Sequence, residues 1–188
     1  MKKIILASQS PRRIEYLKKL GIDFQIRKAK IHESDFNPNL RDPIEHVRLL
    51  AFHKALSVLK SKNEIVIGAD TIVVVRGEIL GKPKYEKEAI QMLKKLNNKV
   101  HEVITGLALI THEKKVVGHD MTIVRFKKLK DKDIKKYVKL KESFDAAGGY
   151  KIQKNGGKFI EYIVGDIDNV VGFPVKLFKI MYKWIQEF

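Results

Sequence analysis

Apolar residues along the chain fall into short runs rich in Val, Ile and Leu that alternate with segments of helical spacing. The runs predict strands at residues 3–7, 24–31, 100–111, 116–126 and 158–164, and a further one within the central stretch 65–83. Helical spacing predicts helices from residue 11, over 42–59, over 85–96, within 127–141 and from residue 174. Residues 37–40 and 165–172 are predicted to be loops. Because a middle hairpin breaks the early alternation of strands and helices, we predict a mixed α/β fold rather than a simple doubly wound sheet.

Polar residues mark the start of two predicted helices. Ser10 is a good N-cap, and Pro11 suits the first helical position after it. Asp42 is followed by Pro43 and, at the third position, by Glu45, which resembles a capping box. Both helices are therefore expected to begin at a proline.

The central stretch 65–83 has a small and polar break at residues 68–71 between two apolar runs. Runs this apolar are typical of a strand buried on both faces. The carboxylate of Asp70 is costly there unless a cation, a metal or a set of hydrogen bonds satisfies it. The structural alternative is a buried aspartate that ties down a loop through backbone hydrogen bonds. Lys82, in the turn that follows, is a cation that could face the same side.

Three further charged positions are candidates for chemistry. Arg12 and Arg13 lie in the first turn of a predicted helix, where the helix dipole disfavours cations, and an anionic ligand such as phosphate would remove that conflict. The alternative is that both arginines face solvent or pair with acids. Glu33 comes just past a predicted strand end and is either a site carboxylate or a solvated loop acid. Lys54 lies beside the apolar stripe of its helix and is either a functional cation or a surface lysine.

Composition limits the classes of protein to which the chain can belong. Its 188 residues are enough for one domain, and 44% hydrophobic with 32% charged residues is typical of a globular chain. No apolar run is long enough to cross a bilayer, so we expect no membrane association. The chain has no cysteine, which excludes disulfides and thiolate chemistry and favours a cytoplasmic location.

The net charge of +16 would attract nucleic acids, anionic lipids or polyphosphates. Most of the excess is lysine spread along helical segments, which indicates ordinary solvated surface. The most basic segment, 127–141, is predicted to be an amphipathic helix with a cationic outer face. A nucleic-acid surface there is the less favoured interpretation.

A glycine-rich segment at 144–157 permits close approach of the backbone to a ligand. It matches neither the P-loop pattern nor the dinucleotide fingerprint. Gln153 within it carries both a donor and an acceptor, as a residue that reads a base must. His101 and Glu102, at the start of a predicted strand, are expected at the rim of the sheet rather than in a cleft.

Several of these stretches together resemble the Maf family, the septum-formation-inhibitor-like nucleoside triphosphate pyrophosphatases. The matching pieces occur in family order over nearly the whole chain: Leu6 to Arg13, Glu33, Lys54-Ala55, Gly68-Ala69-Asp70-Thr71, Gly81-Lys82-Pro83, His101-Glu102-Val103 with Thr105-Gly106, Ala147-Gly148-Gly149-Tyr150 with Gln153, and Asn169-Val170-Val171-Gly172 with Pro174. Each piece is weak alone, but the ordered set is highly specific.

The resemblance implies one α/β domain over residues 1–188, with a mixed twisted sheet flanked by helices and a nucleotide-binding cleft between two lobes. It implies hydrolysis of a nucleoside triphosphate to the monophosphate and pyrophosphate with a divalent cation, Mg²⁺ or Mn²⁺. Asp70 would be the proton acceptor that activates water, and Glu33 would hold the metal with it. The cations and the hydroxyl that would act on the phosphates are Ser8, Arg12, Arg13, Lys54 and Lys82.

The same resemblance bears on the choice of base. Arg12, Thr71 and Gln153 occupy the three positions that divide the family, and their combination resembles the branch acting on dTTP and UTP. Modified pyrimidine triphosphates are an alternative substrate. A nucleic-acid-binding or regulatory module is the alternative from another class. Monomer and homodimer both stay open.

The sequence departs from the family pattern near two of these residues. His32 stands where an aspartate commonly precedes the glutamate, and Lys151 and Lys154 replace glycines around Gln153. We therefore expect changes in metal affinity and in the shape of the base pocket, but none in the catalytic set.

Overall fold

A computed structural model describes residues 2–36 and 42–187 of the chain. Its strands are β1 (Lys3–Leu6), β2 (Gln25–Ile26), β3 (Glu64–Val75), β4 (Glu78–Leu80), β5 (Val100–Ile110), β6 (Lys115–Phe126) and β7 (Ile160–Val164). Its helices are α1 (Pro11–Lys19), α2 (Pro43–Leu56), α3 (Glu86–Leu96), α4 (Asp131–Lys139), α5 (Ile167–Val171) and α6 (Val175–Glu187). No helix in the part of the chain that the structure describes is long and apolar enough to cross a membrane.

The strands form a seven-stranded sheet in the order β2-β1-β3-β5-β6-β7, with β4 paired to β3. Strand β1 is parallel to both of its neighbours, whereas the β3–β4 and β6–β7 pairs are antiparallel. The sheet is therefore mixed and helices accompany it, which confirms the predicted α/β class.

Local sequence explains where the helices begin. Asp42 caps α2, because its Oδ2 accepts from the backbone N–H groups of Ile44 and Glu45 at 2.9 and 3.2 Å. Ser10 occupies the N-cap position of α1, but its side chain makes no capping hydrogen bond. Both helices begin at a proline, as predicted.

The described chain divides into two compact units, and the first comprises residues 2–36, 42–71, 105–120 and 172–187. Alternate residues of its strands enter two separate apolar clusters. One cluster contains Leu6 and Ile67 with the buried side of α6, and the other contains Ile5 and Val66 with the buried side of α2. Because successive strand residues point to opposite faces, this part of β3 is buried on both faces, as predicted.

The second unit comprises residues 72–104 and 121–171. Its core joins α3 and α4 to a group of aromatic rings that includes Phe126 and Tyr150. His101 is buried in this core, where its Nε2 lies 2.9 Å from the Tyr150 hydroxyl oxygen. Burial lowers the pKa of His101 to about 4. The expectation that His101 lies at the rim of the sheet is therefore wrong.

Three segments differ from their predicted length or are more structured than predicted. The strand expected at 24–31 pairs only at Gln25–Ile26, and the expected loop at 165–172 contains the short helix α5. The glycine-rich segment forms short 3₁₀ turns, with positive φ at Gly148 and Gly149. The loop predicted at 37–40 lies outside the described residues.

An ion pair in the first unit gives acid-dependent stability. Arg27 donates to both carboxylate oxygens of Glu64, at 2.9 and 2.5 Å. These bonds, above all, lower the pKa of the buried Glu64 from 4.5 to about 2. A lowered pKa means that the contribution is complete above pH 4.5 and is lost as the pH falls towards 2.

We expect Glu64→Gln to lower the free energy of unfolding at pH 7 by about 3 kcal/mol, the equivalent of this pKa difference. At pH 3 the difference between variant and wild type should shrink to less than half. Denaturant unfolding at the two pH values measures both. A difference that is the same at pH 7 and pH 3 would contradict the assignment.

Candidate active site

Lys54, Asp70 and Glu33 form a compact charged group in the first unit. The Nζ of Lys54, on α2, donates to Asp70 Oδ1 on β3 at 2.5 Å and to Glu33 Oε1 at 2.6 Å. The side chains of Lys54 and Asp70 are each only 11% exposed, whereas Glu33 is about half exposed. Lys54 is therefore a buried cation rather than a surface lysine. It is also the partner that a carboxylate within β3 requires.

A glycine explains why α2 can bring Lys54 to β3. A Cβ built on Gly68 would lie 2.1 Å from the backbone oxygen of Ala51 and 2.8 Å from the backbone nitrogen of Ala55. Only a residue without a side chain allows backbone to approach backbone this closely. Gly68 thus sets the spacing between the helix that carries Lys54 and the strand that carries Asp70.

Arg13 connects several chain segments of the first unit through neutral oxygens. Its Nε donates to the Gly172 carbonyl at 3.0 Å, Nη1 to Ser8 Oγ at 3.3 Å, and Nη2 to Thr71 Oγ1 at 3.2 Å. Thr71 Oγ1 in turn lies 3.0 Å from Thr105 Oγ1. Arg13 therefore does not simply face solvent, and its planar fork fixes Ser8 and Thr71 relative to each other.

The electrostatics of Arg13 relate this hydrogen-bonded group to the charged group. Burial lowers the pKa of Arg13, and the positive charge of Arg12 also acts in this direction. The negative charges of Asp70 and Glu33 oppose that shift. Arg13 is thus influenced by a second guanidinium group and by a pair of carboxylates of the same unit. An arrangement of this kind suits an anionic ligand that arrives with a metal cation.

Two of the predicted site residues belong to the second unit. Lys82 is exposed in the segment between β4 and α3. Gln153 is exposed in a turn that precedes the 3₁₀ turn at Asn155–Phe159. A hydrogen bond holds the backbone just before Lys82: the N–H of Gly148 donates to the carbonyl of Gly81 at 2.9 Å.

The structure therefore brings together seven of the nine predicted site residues in the first unit: Ser8, Arg12, Arg13, Glu33, Lys54, Asp70 and Thr71. The other two, Lys82 and Gln153, belong to the second unit.

Sequence reasoning assigned no role to two residues of the Arg13 network. Thr105 is fully buried among the apolar residues of the second half of β5, and Gly172 supplies its carbonyl from a backbone with φ of +107°. A Cβ on Gly172 would lie 3.2 Å from Thr71 Oγ1, so a larger residue would press on the network. Both residues lie in stretches that match the family pattern, at Thr105-Gly106 and at Asn169 to Gly172, but that match implies no contact with Arg13.

The donor set of this site fits a hard divalent cation. Mg²⁺ is usually held by one or two carboxylates together with phosphate oxygens, and Glu33 and Asp70 offer two carboxylates that share one partner. Within residues 2–36 and 42–187, no group of three or more histidine or acidic side chains is placed to hold a metal by itself. A cation here would complete its coordination with oxygens of water or of a bound ligand.

Comparison with known proteins gives the same family as the sequence motifs, over almost the full length of the chain. The family model described as Maf-like protein matches residues 3–184. A protein of Thermoanaerobacter sp. named dTTP/UTP pyrophosphatase is 45% identical, covering 95% of both chains. Proteins of that name from Aquifex aeolicus (44% identical, 95% of this chain and 94% of theirs) and Clostridioides difficile (47%, 92% and 89%) are also similar.

Among solved structures, a nucleoside-triphosphatase described as a dITP/XTP pyrophosphatase, from Mycobacterium abscessus, covers 98% of this chain and 96% of its own. Its TM-score is 0.43 and its identity 10%, too low to add to the argument. The family match and the relatives of 44–47% identity are sufficient. By these matches, the chain belongs to the Maf family.

Proposed function

We propose that this protein hydrolyses nucleoside triphosphates, preferentially dTTP and UTP, to the monophosphate and pyrophosphate. The observation that carries the proposal is the buried Lys54 held between Glu33 and Asp70, two carboxylates whose charges also act on Arg13. The relatives named dTTP/UTP pyrophosphatase support the substrate class.

The cationic residues would bind the triphosphate. Arg12, Arg13 and Lys54 offer charge-assisted hydrogen bonds to phosphate oxygens, and the Ser8 hydroxyl adds a neutral one. Arg13 already donates to three protein oxygens, so it would contact phosphate with its remaining N–H groups. Lys82 is proposed to offset the negative charge that develops on the leaving pyrophosphate.

Asp70 is the proposed general base. It would accept a proton from the attacking water, whose oxygen forms the new bond to the α-phosphorus. The bond between the α-phosphorus and the bridging oxygen breaks, and the electron pair leaves with pyrophosphate. Asp70 suits this role because it lies on a buried strand that fixes its position.

Glu33 and Asp70 are also the proposed ligands of a divalent cation, Mg²⁺ or Mn²⁺. When bound, such a cation polarises phosphoryl oxygens and neutralises charge at the phosphates. Carboxylate oxygens completed by substrate phosphates are the donors that both ions prefer. The residues of this chain would orient water and substrate around that centre.

Arg12, Thr71 and Gln153 are proposed to select a pyrimidine base. The Thr71 hydroxyl is already bonded to Arg13 and lies next to Thr105, so it would contribute to base selection mainly by fixing its neighbours. Gln153 is exposed and carries both donor and acceptor atoms, so it would contact the base edge directly. Modified pyrimidine triphosphates would fit the same contacts.

We expect Gln153→Ala to change the ratio of UTP to CTP hydrolysis roughly 3- to 10-fold, the equivalent of a hydrogen bond of about 1 kcal/mol. The ratio of kcat/KM values for the two nucleotides measures it. Gln91→Ala, the same substitution at an exposed position of α3, is the matched control and should leave the ratio unchanged. A Gln153→Ala variant with the wild-type ratio would remove Gln153 from base selection.

A pyrophosphate-release assay with each common nucleoside triphosphate, and with modified pyrimidine triphosphates, tests the proposed activity. We expect dTTP and UTP to give the highest kcat/KM, and absence of turnover for every nucleotide would refute the proposal.

A cytoplasmic location would suit an enzyme that acts on free nucleotides, and a homodimer remains a prediction. The cationic face of α4 offers no feature specific to nucleic acid, so we propose no such function.

A further inference from the structure

Lys54 lies between Glu33 and Asp70, the two carboxylates proposed to hold a divalent cation. Its Nζ donates to one oxygen of each carboxylate, at 2.6 and 2.5 Å. The side chains of Lys54 and Asp70 are each 11% exposed and that of Glu33 is about half exposed, so the bond to Asp70 is the better shielded from water. One positive charge thus compensates two negative charges within this group.

We propose that Lys54 is a resident counter-ion that competes with the divalent cation for Glu33 and Asp70, and that the nucleotide relieves this competition. The inference rests on the proposed function for the identity of the nucleotide. In the free protein the ammonium and a metal ion would compete for the same two carboxylates. When triphosphate binds, its oxygens would accept from Lys54 and release the carboxylates.

The physical reason is the cost of an unpaired buried charge. An ammonium expelled from both carboxylates while it is still shielded from water loses most of its compensation. A divalent cation that binds alone must impose this cost, whereas one that binds with a triphosphate does not, because the phosphates take over the ammonium. Metal and nucleotide should therefore bind with positive coupling, and removal of the lysine charge should remove much of it.

Arg27 and Glu64 provide a matched contrast within the same unit. They also form an ion pair on a buried carboxylate, but only one carboxylate takes part. Glu64 Oε2 additionally accepts from the backbone N–H groups of Lys60 and Ser61. Loss of Arg27 would therefore leave a single carboxylate with hydrogen bonds of its own, which is a poor site for a divalent cation.

The test compares Mn²⁺ binding by wild type, Lys54→Met and Arg27→Met without nucleotide, using the electron paramagnetic resonance signal of free Mn²⁺ and the change in Tm with millimolar Mn²⁺. We expect Lys54→Met to bind Mn²⁺ roughly 10-fold or more tightly than wild type, within the range typical of coupled sites. Mn²⁺ should raise its Tm by several degrees more than that of wild type. Arg27→Met should respond to Mn²⁺ as wild type does.

A second measurement adds a UTP analogue with a methylene bridge between the α- and β-phosphorus atoms. It should increase the Mn²⁺ affinity of wild type more than that of Lys54→Met. Lys54→Gln, which removes the charge but keeps donor atoms, should behave like Lys54→Met and serves if the methionine variant folds poorly. Lysine variants that bind Mn²⁺ no more tightly than wild type, or an equal gain in Arg27→Met, would overturn the proposal.

These outcomes separate the inference from the proposed activity. Turnover by wild type without a gain in Mn²⁺ affinity on loss of Lys54 would refute the counter-ion and leave the activity standing. A gain in Mn²⁺ affinity in a protein that hydrolyses no nucleotide would refute the activity and leave the counter-ion standing.

Discussion

Replacement of Asp70 by asparagine is expected to lower kcat for dTTP and UTP by roughly 10²–10⁴-fold, the usual contribution of a general base. The amide is close in size to the carboxylate but cannot accept the proton, and Lys54 keeps its bond to Glu33. We therefore expect the fold to persist and the nucleotide still to bind. Pyrophosphate release measures kcat, and binding of the methylene-bridged UTP analogue measures affinity.

Asp35→Asn is the control for this experiment. Asp35 is an exposed acid in the same 3₁₀ turn as Glu33, and it has no assigned role. Its loss removes one negative charge from the same region and should change kcat by less than a factor of about 2, within the range of ordinary surface substitutions. A kcat within 10-fold of wild type in Asp70→Asn would rule out Asp70 as the essential base.

Substitution of Gly68 by alanine is expected to lower the free energy of unfolding by about 3 kcal/mol, the upper end of the usual cost of overpacking. The new methyl group would lie 2.1 Å from the Ala51 backbone oxygen, and backbone cannot turn aside as a flexible side chain does. Separation of α2 from β3 would also pull Lys54 away from Asp70, so turnover should fall as well. Urea unfolding measures the stability change.

Gly118→Ala, on β6 of the same unit, is the matched control. A Cβ there would lie 3.3 Å from a methyl group of Leu177, which can move. We expect its stability to stay within about 0.5 kcal/mol of wild type, as for most substitutions that meet no obstruction. If Gly68→Ala were equally stable, α2 and β3 would not approach each other as closely as described.

The sequence predicts the central strand and the need of Asp70 for a partner, because β-branched runs and the cost of a buried carboxylate are local properties. It does not predict that the partner is Lys54. That depends on the approach of α2 to β3, which becomes possible only because Gly68 faces the Ala51 backbone. A contact between segments this far apart in the chain leaves no mark in the periodicity of either one.

The wrong predictions about the fold have similar causes. The second strand is shorter than predicted because β1 has only four residues, and just Ile5 and Leu6 pair with it. Helix α5 has five residues, too few for helical spacing to register. His101 was assigned to the rim by its position at a strand start, but Phe126 and Tyr150 cover it from other parts of the second unit.

This site is proposed to direct water to the α-phosphorus of a pyrimidine nucleoside triphosphate. The most direct measurement is hydrolysis of dTTP and UTP in water enriched in the heavy oxygen isotope, with mass spectrometry of the products. We expect the label in the monophosphate and unlabelled pyrophosphate beside it. Label in pyrophosphate, or release of orthophosphate as the first product, would contradict the proposed reaction.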